Sequence, residues 1–312
     1  SIVAINKDLG LNQPLPVQFA LYLNDLSPIS LHNTSDVDSR TKWTAEKYGG
    51  FSLLTISGYQ VVIKAPYLRR SYQSQKKVNE IISETLLETT VLAVSAILFA
   101  TFLGVLLGIL SAIYKDSWLD RISLLFATSG MALPSFFVGI IIAWVFGYLL
   151  ADYTGLNMTG SLYEVDDLGR GEYLALSNLI LPAITLGVRP LSVIVQLSRN
   201  SMLEVMSQDF VRTAVAKGLS KHIVILKHAL KNALNPVLTA VSGMFASLMA
   251  GAVFVEIVFA WKGIGWEVVN ALEKYDLPVV MGAVLVIAVI FVVINMIVDI
   301  LYGVLDPRVR VS

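Results

Sequence analysis

The residues best suited to recognition lie in a basic loop, residues 199–232, between two strongly apolar blocks. The pattern predicts two helical stretches separated by Gly218, Leu219 and Ser220, because a glycine followed closely by a serine can end one helix and cap the next. Four residues of the first stretch share a face at helical spacing: Phe210, Thr213, Ala214 and Lys217. Small side chains at Thr213, Ala214 and Ala216 would let a partner approach the backbone closely. The loop is therefore interpreted as a contact surface for a protein; the alternative is a basic hairpin that only anchors the chain at lipid headgroups.

Three polar side chains fall inside apolar blocks, namely Arg189, Asn295 and Asp299. An ionisable group in hydrocarbon costs about 2.5–3.5 kcal/mol on insertion scales, so each should face protein or water. Asn295 and Asp299 are four residues apart and share a helix face. Arg189 precedes Pro190, which bends a helix and frees a backbone carbonyl. Each residue is a candidate for lining a transport path, and the alternative for Asn295 and Asp299 is hydrogen bonding between helices.

The elements that must position these groups are membrane spans. The chain has 312 residues, of which 55% are hydrophobic and only 15% charged, against about a quarter charged in soluble domains. Five blocks are long enough to cross a bilayer core, which needs roughly 20 apolar residues per helix: Leu86 to Tyr114, Leu119 to Ala151, Asn178 to Ser198, Leu234 to Ala260 and Pro278 to Leu305. Gly104 and Gly108 form a pair that permits close helix packing. The composition predicts an all-α polytopic membrane protein.

Composition also excludes several classes of function. The 23 Lys and Arg residues balance 23 Asp and Glu residues, so no net field favours a nucleic acid. The absence of cysteine removes disulfides, thiolate metal sites and thiol nucleophiles. The dipeptide Gly-Lys occurs nowhere, so the chain has no Walker A phosphate loop. Neither His-Glu-x-x-His nor Gly-x-Ser-x-Gly occurs, which argues against an intramembrane hydrolase.

Charge distribution predicts the orientation. Ten cations lie on one side of the five blocks: Lys115, Arg121, Arg199, Arg212, Lys217, Lys221, Lys227, Lys231, Arg308 and Arg310. The short loops on the other side carry three, and four more precede the first block, so the positive-inside rule makes the first side cytoplasmic. Residues 1–80 are then an exterior segment of mixed structure, with a turn at Gln13 to Pro16 and a strand-like run from Leu53 to Ile63. Delivery of that segment predicts a preceding membrane helix.

Two runs in the basic loop, Arg212 to Ser220 and His228 to Pro236, resemble the coupling loop of one family. It is the B-type permease subunit of oligopeptide and dipeptide ABC importers, a binding-protein-dependent inner-membrane component. Other segments match the family in order and spacing: Leu9 to Val17, Leu133 to Phe137, Phe254 to Glu256 with Gly263 to Gly265, and Asp299 to Tyr302 with Asp306 to Arg308.

The resemblance implies a type I ABC importer transmembrane fold for residues 81–312, in five helices, and a non-catalytic pore subunit in the bacterial inner membrane. The implied partners are a homologous C-type permease, two cytoplasmic ATPases that bind ATP and Mg²⁺, and an extracytoplasmic solute-binding protein. The coupling residues it implies are Arg212, Thr213, Ala214, Lys217, Gly218, Leu219, His228 and Asn232. Peptides are the expected substrate. The alternatives are an importer of nickel or sugars, or a secondary transporter, which should show internal repeats and its own ion site.

Overall fold

The computed structural model describes residues 13–34, 42–166, 169 and 171–305, without the side chains of 250, 251, 299 and 301–305. The chain divides into two compact units. One comprises the chain up to Ile82 together with Lys274–Gly282, and the other comprises Ser83–Glu273 and the chain from Ala283 onwards.

The first unit is built on a small antiparallel sheet. Its elements are α1 (Leu15–Leu26), β1 (Ile29–Asn33), α2 (Ala45–Tyr48), β2 (Phe51–Ile56) and β3 (Tyr59–Ile63), with strand order β1-β3-β2. The predicted strand-like run is confirmed as a hairpin. Its turn residues, Ser57 and Gly58, both have positive φ (48° and 82°), as a two-residue hairpin turn matching the strand twist requires. The predicted turn at residues 13–16 is instead the start of α1, because a proline is tolerated in the first helical turn.

Buried polar groups hold this unit together. The Arg69 guanidinium pairs with the Asp25 carboxylate at 3.0 Å, and the Lys64 ammonium donates to the backbone carbonyls of Asp25 and Ser27. Burial lowers the pKa of Lys64, although the nearby Asp25 acts to raise it. Within the same unit, the Asp276 carboxylate accepts the backbone N–H of Tyr72 at 3.0 Å.

The second unit is helical. Its helices are α3 (Val78–Ile113), α4 (Trp118–Ala132), α5 (Ser135–Trp144), α6 (Ala151–Thr154), α7 (Ser177–Met206), α8 (Asp209–Ala216), α9 (Lys221–Ile223), α10 (Leu230–Ala233), α11 (Asn235–Gly251), α12 (Val253–Phe259), α13 (Ile264–Glu273) and α14 (Leu277–Leu305), where α3 and α14 each begin in the first unit. Residues Val145–Leu149 and Val224–Ala229 are π-helical. A two-stranded hairpin, β4 (Tyr163–Val165) and β5 (Glu172–Leu174), precedes α7.

Three of the described helices are long and apolar enough to cross a membrane, Val78–Ile113, Ser177–Met206 and Leu277–Val298. The other two apolar blocks are bent helix pairs. Trp118–Ala132 and Ser135–Leu149 meet at 114°, and Asn235–Met249 and Val253–Phe259 meet at 60°. The first bend falls at Leu133-Pro134, because Pro134 disfavours the helical conformation of its neighbour and has no N–H to donate. The total is three spans, or up to five if each bent pair crosses once.

The core lies between α3, α7 and the α11–α12 pair, and is lined by Leu92, Ala96, Leu186, Val255 and Phe259. Gly104 and Gly108 of α3 lie against α7, as the spacing predicts. A Cβ at Gly104 would lie 2.8 Å from Cγ2 of Ile194, and one at Gly108 would lie 2.6 Å from Cβ of Ser198. Any larger residue would therefore separate the two helices.

Candidate functional site

The predicted contact loop continues directly from α7. It comprises α8, α9, the π-helical turn Val224–Ala229 and α10 before the chain enters α11. Gly218 separates the two halves at φ +80°. Its N–H donates to the carbonyl of Val215 at 2.9 Å, and the next N–H, of Leu219, donates to the carbonyl of Ala214 at 3.3 Å. This pair of hydrogen bonds is the Schellman arrangement that ends a helix at a left-handed glycine. The predicted break is confirmed, but Ser220 makes no side-chain cap.

The loop has a hydrophobic core of its own. Val211 and Ala214 of α8 pack with Val224, Ile225, Ala229 and Ala233 of the second half. The same cluster includes Ala112 at the end of α3, and Met202 and Val205 near the end of α7. The buried face of α8 is therefore Val211 with Ala214. Of the four residues predicted to share a contact face, Phe210, Thr213 and Lys217 are exposed and only Ala214 is buried. This core fixes the loop to the ends of two membrane helices.

The outer face of the loop is both apolar and basic. Val215 is 58% exposed. The other exposed residues of this surface are Phe210, Arg212, Thr213, Ala216, Lys217, Gly218 and Leu219. Arg212 approaches Asp209 at 3.6 Å, but both side chains are largely in solvent, so this pair contributes little. Of the predicted coupling residues, Ala214 is buried within the loop and its side chain is not part of this surface.

His228 and Asn232 lie on the second half of the loop. His228 is half-buried and Asn232 is exposed. The Asn232 amide donates to the backbone carbonyl of His228 at 3.1 Å. This bond holds one turn of the chain and leaves the His228 ring at the edge of the loop.

A buried ion pair lies immediately behind the loop core. Arg199 donates from Nε to Oδ1 of Asp120 at 2.7 Å and from Nη2 to Oδ2 at 2.8 Å. The Ser111 hydroxyl donates to the same carboxylate, and the Asp116 N–H donates to it at 2.9 Å. The sequence analysis used Arg199 only as a charge that indicates orientation and did not pair it with Asp120, because the two residues are 79 positions apart. The one local signal was Ser117 before Asp120, a helix N-cap arrangement.

A second buried network joins α3 to α12 and α13. The Glu256 side chain is fully buried. Its Oε1 accepts from the Thr89 hydroxyl at 2.7 Å, and its Oε2 accepts from the Trp266 N–H at 2.9 Å. The Thr89 oxygen in turn accepts the Ile264 N–H at 2.8 Å. A Cβ at Gly263 would lie 2.2 Å from Oε1 of Glu256, so the glycine is needed for the approach. The network fixes the first turn of α13.

Glu88, one residue before Thr89, extends this second network. Its carboxylate accepts from the Ser161 hydroxyl, and its backbone carbonyl accepts from Nε1 of Trp261 at 3.1 Å. Ser161 also receives the Lys262 N–H at 3.2 Å on its hydroxyl and the Asn178 amide at 3.1 Å on its backbone carbonyl. These bonds tie the loops before α7 and before α13 to the start of α3.

The two networks lie at opposite ends of the same helices. Thr89 and Ser111 are 22 residues apart on α3, or about 33 Å at 1.5 Å per residue. Asn178 and Arg199 are 21 residues apart on α7, which is a similar distance. Since a bilayer hydrocarbon core is about 30 Å thick, the ion pair and the Glu256 network bracket its thickness.

Of the three polar candidates within the spans, the described side chains of Arg189 and Asn295 belong to neither buried network. Arg189 is exposed on α7, and within the described residues no hydrogen bond or ion pair to its side chain is found. The Asn295 amide donates to the Phe291 carbonyl of its own helix at 2.7 Å, which satisfies it locally rather than across helices. The side chain of Asp299 lies outside the described part of the chain.

Arg189 begins a polar stripe. Four accessible polar residues of α7 share one face of the helix: Arg189, Gln196, Asn200 and Glu204. At 100° per residue these four positions lie within about 80° of one another around the helix, over about 22 Å of its length. Most other residues of α7 from 190 onwards are buried or half-buried.

The sequence also resembles known proteins. Residues 104–311 match the family described as "Binding-protein-dependent transport system inner membrane component". A relative named dipeptide transport system permease protein DppB, from Alkalihalophilus pseudofirmus, is 35% identical over 99% of this chain and 86% of its own length. A protein of the same name from Escherichia coli K12 is 38% identical over 71% of this chain and 70% of its own length.

A solved structure agrees in fold. The inward-facing MetNI methionine ABC transporter superposes with a TM-score of 0.57, covering 73% of this chain and 97% of that one at 14% identity. The fold is therefore that of an ABC importer transmembrane subunit, as the sequence predicts. The family match covers the loop, the polar stripe and those residues of the two buried networks that lie beyond position 104. The chain belongs to the family of binding-protein-dependent transport system inner membrane components.

Proposed function

We propose that this chain is the non-catalytic, pore-forming half of an ATP-driven peptide importer in the bacterial inner membrane. The observation that carries the proposal is the loop between α7 and α11. Its inner face is packed on the ends of α3 and α7, while its outer face presents Val215 and Leu219 beside Arg212 and Lys217. A rigid surface of this kind fits a protein partner better than lipid headgroups, since its exposed apolar residues lie among cations rather than on a separate face.

The partners follow from the family. An inner-membrane component that depends on a binding protein requires an exterior solute-binding protein and a source of energy. The chain contains no Gly-Lys dipeptide and hence no Walker A loop of its own. We therefore assign ATP hydrolysis to two cytoplasmic ATPase subunits that meet the loop, and the second half of the pore to a homologous C-type permease.

Peptides are the proposed substrate. The relatives at 35% and 38% identity are named as dipeptide permeases, and a third, from Escherichia coli K12, is named as a probable D,D-dipeptide permease at 34% identity over 98% of this chain. Short peptides share one feature, a free carboxylate, that a membrane path must accommodate.

The proposed function is tested in vesicles that contain the assembled complex and a saturating amount of its binding protein. Labelled dipeptide is expected to accumulate only when ATP is supplied on the ATPase side. Preferential accumulation of nickel or a sugar would change the substrate, and accumulation without ATP would contradict the proposal.

The polar stripe of α7 is the proposed lining of the path. Arg189 would cost about 2.5–3.5 kcal/mol in hydrocarbon, and Gln196 lies on the same face before the Arg199 end of the span, so this face fits water or another protein rather than lipid. A guanidinium matches a carboxylate with two parallel hydrogen bonds. We assign Arg189 to the passing peptide carboxylate.

Replacing Arg189 tests this assignment. Arg189→Gln should lower the maximal uptake rate about tenfold or more, the effect of losing one hydrogen bond to a charged group, whereas Arg189→Lys should retain part of the rate. Binding of peptide to the binding protein and co-purification of all subunits serve as controls. Unchanged uptake and assembly in Arg189→Gln would contradict the role.

A further inference from the structure

The Asp120–Arg199 pair uses every acceptor position of one buried carboxylate. The Arg199 side chain is 13% exposed and that of Asp120 is 3% exposed. Oδ1 accepts from the Ser111 hydroxyl and Arg199 Nε, and Oδ2 accepts from Arg199 Nη2 and the Asp116 N–H. A carboxylate bonded in this way has one orientation, so the elements that supply its four donors are held at fixed positions.

Those donors come from three places in the chain. Ser111 lies in the last turn of α3, Asp116 lies in the turn between α3 and α4, and Arg199 lies two turns before the end of α7. Asp120 itself belongs to the first turn of α4, where its N–H donates to the Ser117 hydroxyl at 3.3 Å. The pair therefore joins α3, α4 and α7 at one point.

This point is adjacent to the loop core. Ala112 follows Ser111, and Met202 lies about one turn beyond Arg199; both are buried in the cluster that holds Val211 of α8. A displacement of the loop would therefore push on Ala112 and Met202, which are next to the ion pair. The pair adds a directional contact between α3, α4 and α7 to the apolar packing of this layer.

The same helices are closely packed farther from the loop. A Cβ at Gly130 of α4 would lie 2.2 Å from the Ser192 hydroxyl of α7. Shortly after Gly130, α4 ends at the 114° bend that leads into α5. Movement of α4 together with α7 would therefore be passed on to the bend.

We propose that Asp120 and Arg199 are a positioning pair that makes the cytoplasmic ends of α3, α4 and α7 move with the loop as one lever. The inference rests on the proposed function, because it assigns the pair a role in coupling the ATPases to the pore. The pair contacts neither peptide nor nucleotide. Its contribution is to hold α3, α4 and α7 together, so that all three helices move when the loop moves.

The test measures dipeptide imported per ATP hydrolysed by the intact complex in vesicles. Arg199→Lys keeps the charge but loses the two-pronged geometry, and Asp120→Asn keeps the shape but loses the charge. Both variants are expected to lower the ratio about fivefold or more, the lower end of coupling between distant sites, while ATP hydrolysis continues. The matched control is Arg121→Gln, which removes the adjacent, exposed cation and should leave the ratio unchanged.

The uncharged pair, Asp120→Asn with Arg199→Gln, separates positioning from folding, because it leaves no unpaired buried charge. If Asp120→Asn fails to assemble, Arg199→Lys and the uncharged pair decide the matter, and a lowered ratio in either assembled complex supports the inference. A wild-type ratio in an assembled Arg199→Lys complex would overturn it, as would an equal fall in Arg121→Gln. Absence of ATP-dependent import by the unaltered complex would instead overturn the proposed function.

Discussion

Val215→Asp is expected to abolish import while the membrane helices remain folded. Val215 is 58% exposed at the centre of the outer face of α8, and its neighbours Val211 and Ala214 supply the buried face. The substitution therefore leaves the loop core intact but puts a carboxylate into the proposed interface with the ATPase. Loss of a hot-spot contact near the centre of an interface costs about 2 kcal/mol or more, or roughly 30-fold in affinity.

The measurement is co-purification of the ATPase subunits through a tag on this chain, with uptake measured on the same preparation. The matched control is Tyr153→Asp, which places the same charge at an 89% exposed position outside the loop. Val215→Asp should lose the ATPases and Tyr153→Asp should keep them. If Val215→Asp retained both the ATPases and full uptake, the outer face of α8 would not be the contact surface.

Glu256→Ala is expected to cause the largest loss of stability. Removing the carboxylate leaves the half-buried Trp266 N–H without its acceptor and the buried Thr89 hydroxyl without the acceptor to which it donates. Leaving a buried neutral donor without its acceptor costs about 1–3 kcal/mol for each group, and two donors are affected here. Glu256→Gln keeps one carbonyl oxygen but turns an amide towards other donors, so it should cost about 1–3 kcal/mol.

Thermal unfolding of the purified complex, followed by tryptophan fluorescence, measures this effect, because Trp261 and Trp266 lie within or beside the network. Glu273→Ala, at an exposed carboxylate of the same helix α13, is the control and should leave the midpoint unchanged. Equal midpoints for Glu256→Ala and Glu273→Ala would show that the network does not hold α13 in place.

The sequence predicts where the five apolar blocks lie, but not which of them are single helices and which are bent helix pairs. Composition alone places five blocks, and the structure has a helix or a helix pair in each. The bend at Pro134 follows from a proline within a block, which was a visible signal. The break near Ala252 has a weaker signal, Gly251, because glycine costs only about 1 kcal/mol relative to alanine within a helix, against about 3 kcal/mol for proline. Tertiary packing decides that bend.

The loop shows the same contrast on a smaller scale. Gly218 marked the break between its halves, since a left-handed position favours glycine. The choice of buried face depended on partners far along the chain: Val211 and Ala214 are buried because Val224 and Ile225 pack against them. Periodicity in α8 alone groups Ala214 with Phe210, Thr213 and Lys217, whereas the structure exposes those three residues and buries Ala214.

The two buried networks lay beyond sequence reasoning because their members are distant in the chain. Thr89 and Glu256 are 167 residues apart, and Asp120 and Arg199 are 79 residues apart. A single carboxylate or guanidinium in a sequence does not reveal its partner. Only the packing of α3 against α7, which Gly104 and Gly108 permit, brings these groups to the two ends of the same helices.

The most direct test of this chain as the pore half of an ATP-driven importer is the dependence of dipeptide accumulation on ATP in vesicles without ion gradients. The complex is reconstituted with its binding protein, ionophores dissipate proton and sodium gradients, and internal peptide is compared with and without hydrolysable ATP. The account predicts accumulation above the external concentration only when ATP is hydrolysed. Accumulation that requires an ion gradient and continues without ATP would identify a secondary transporter and contradict it.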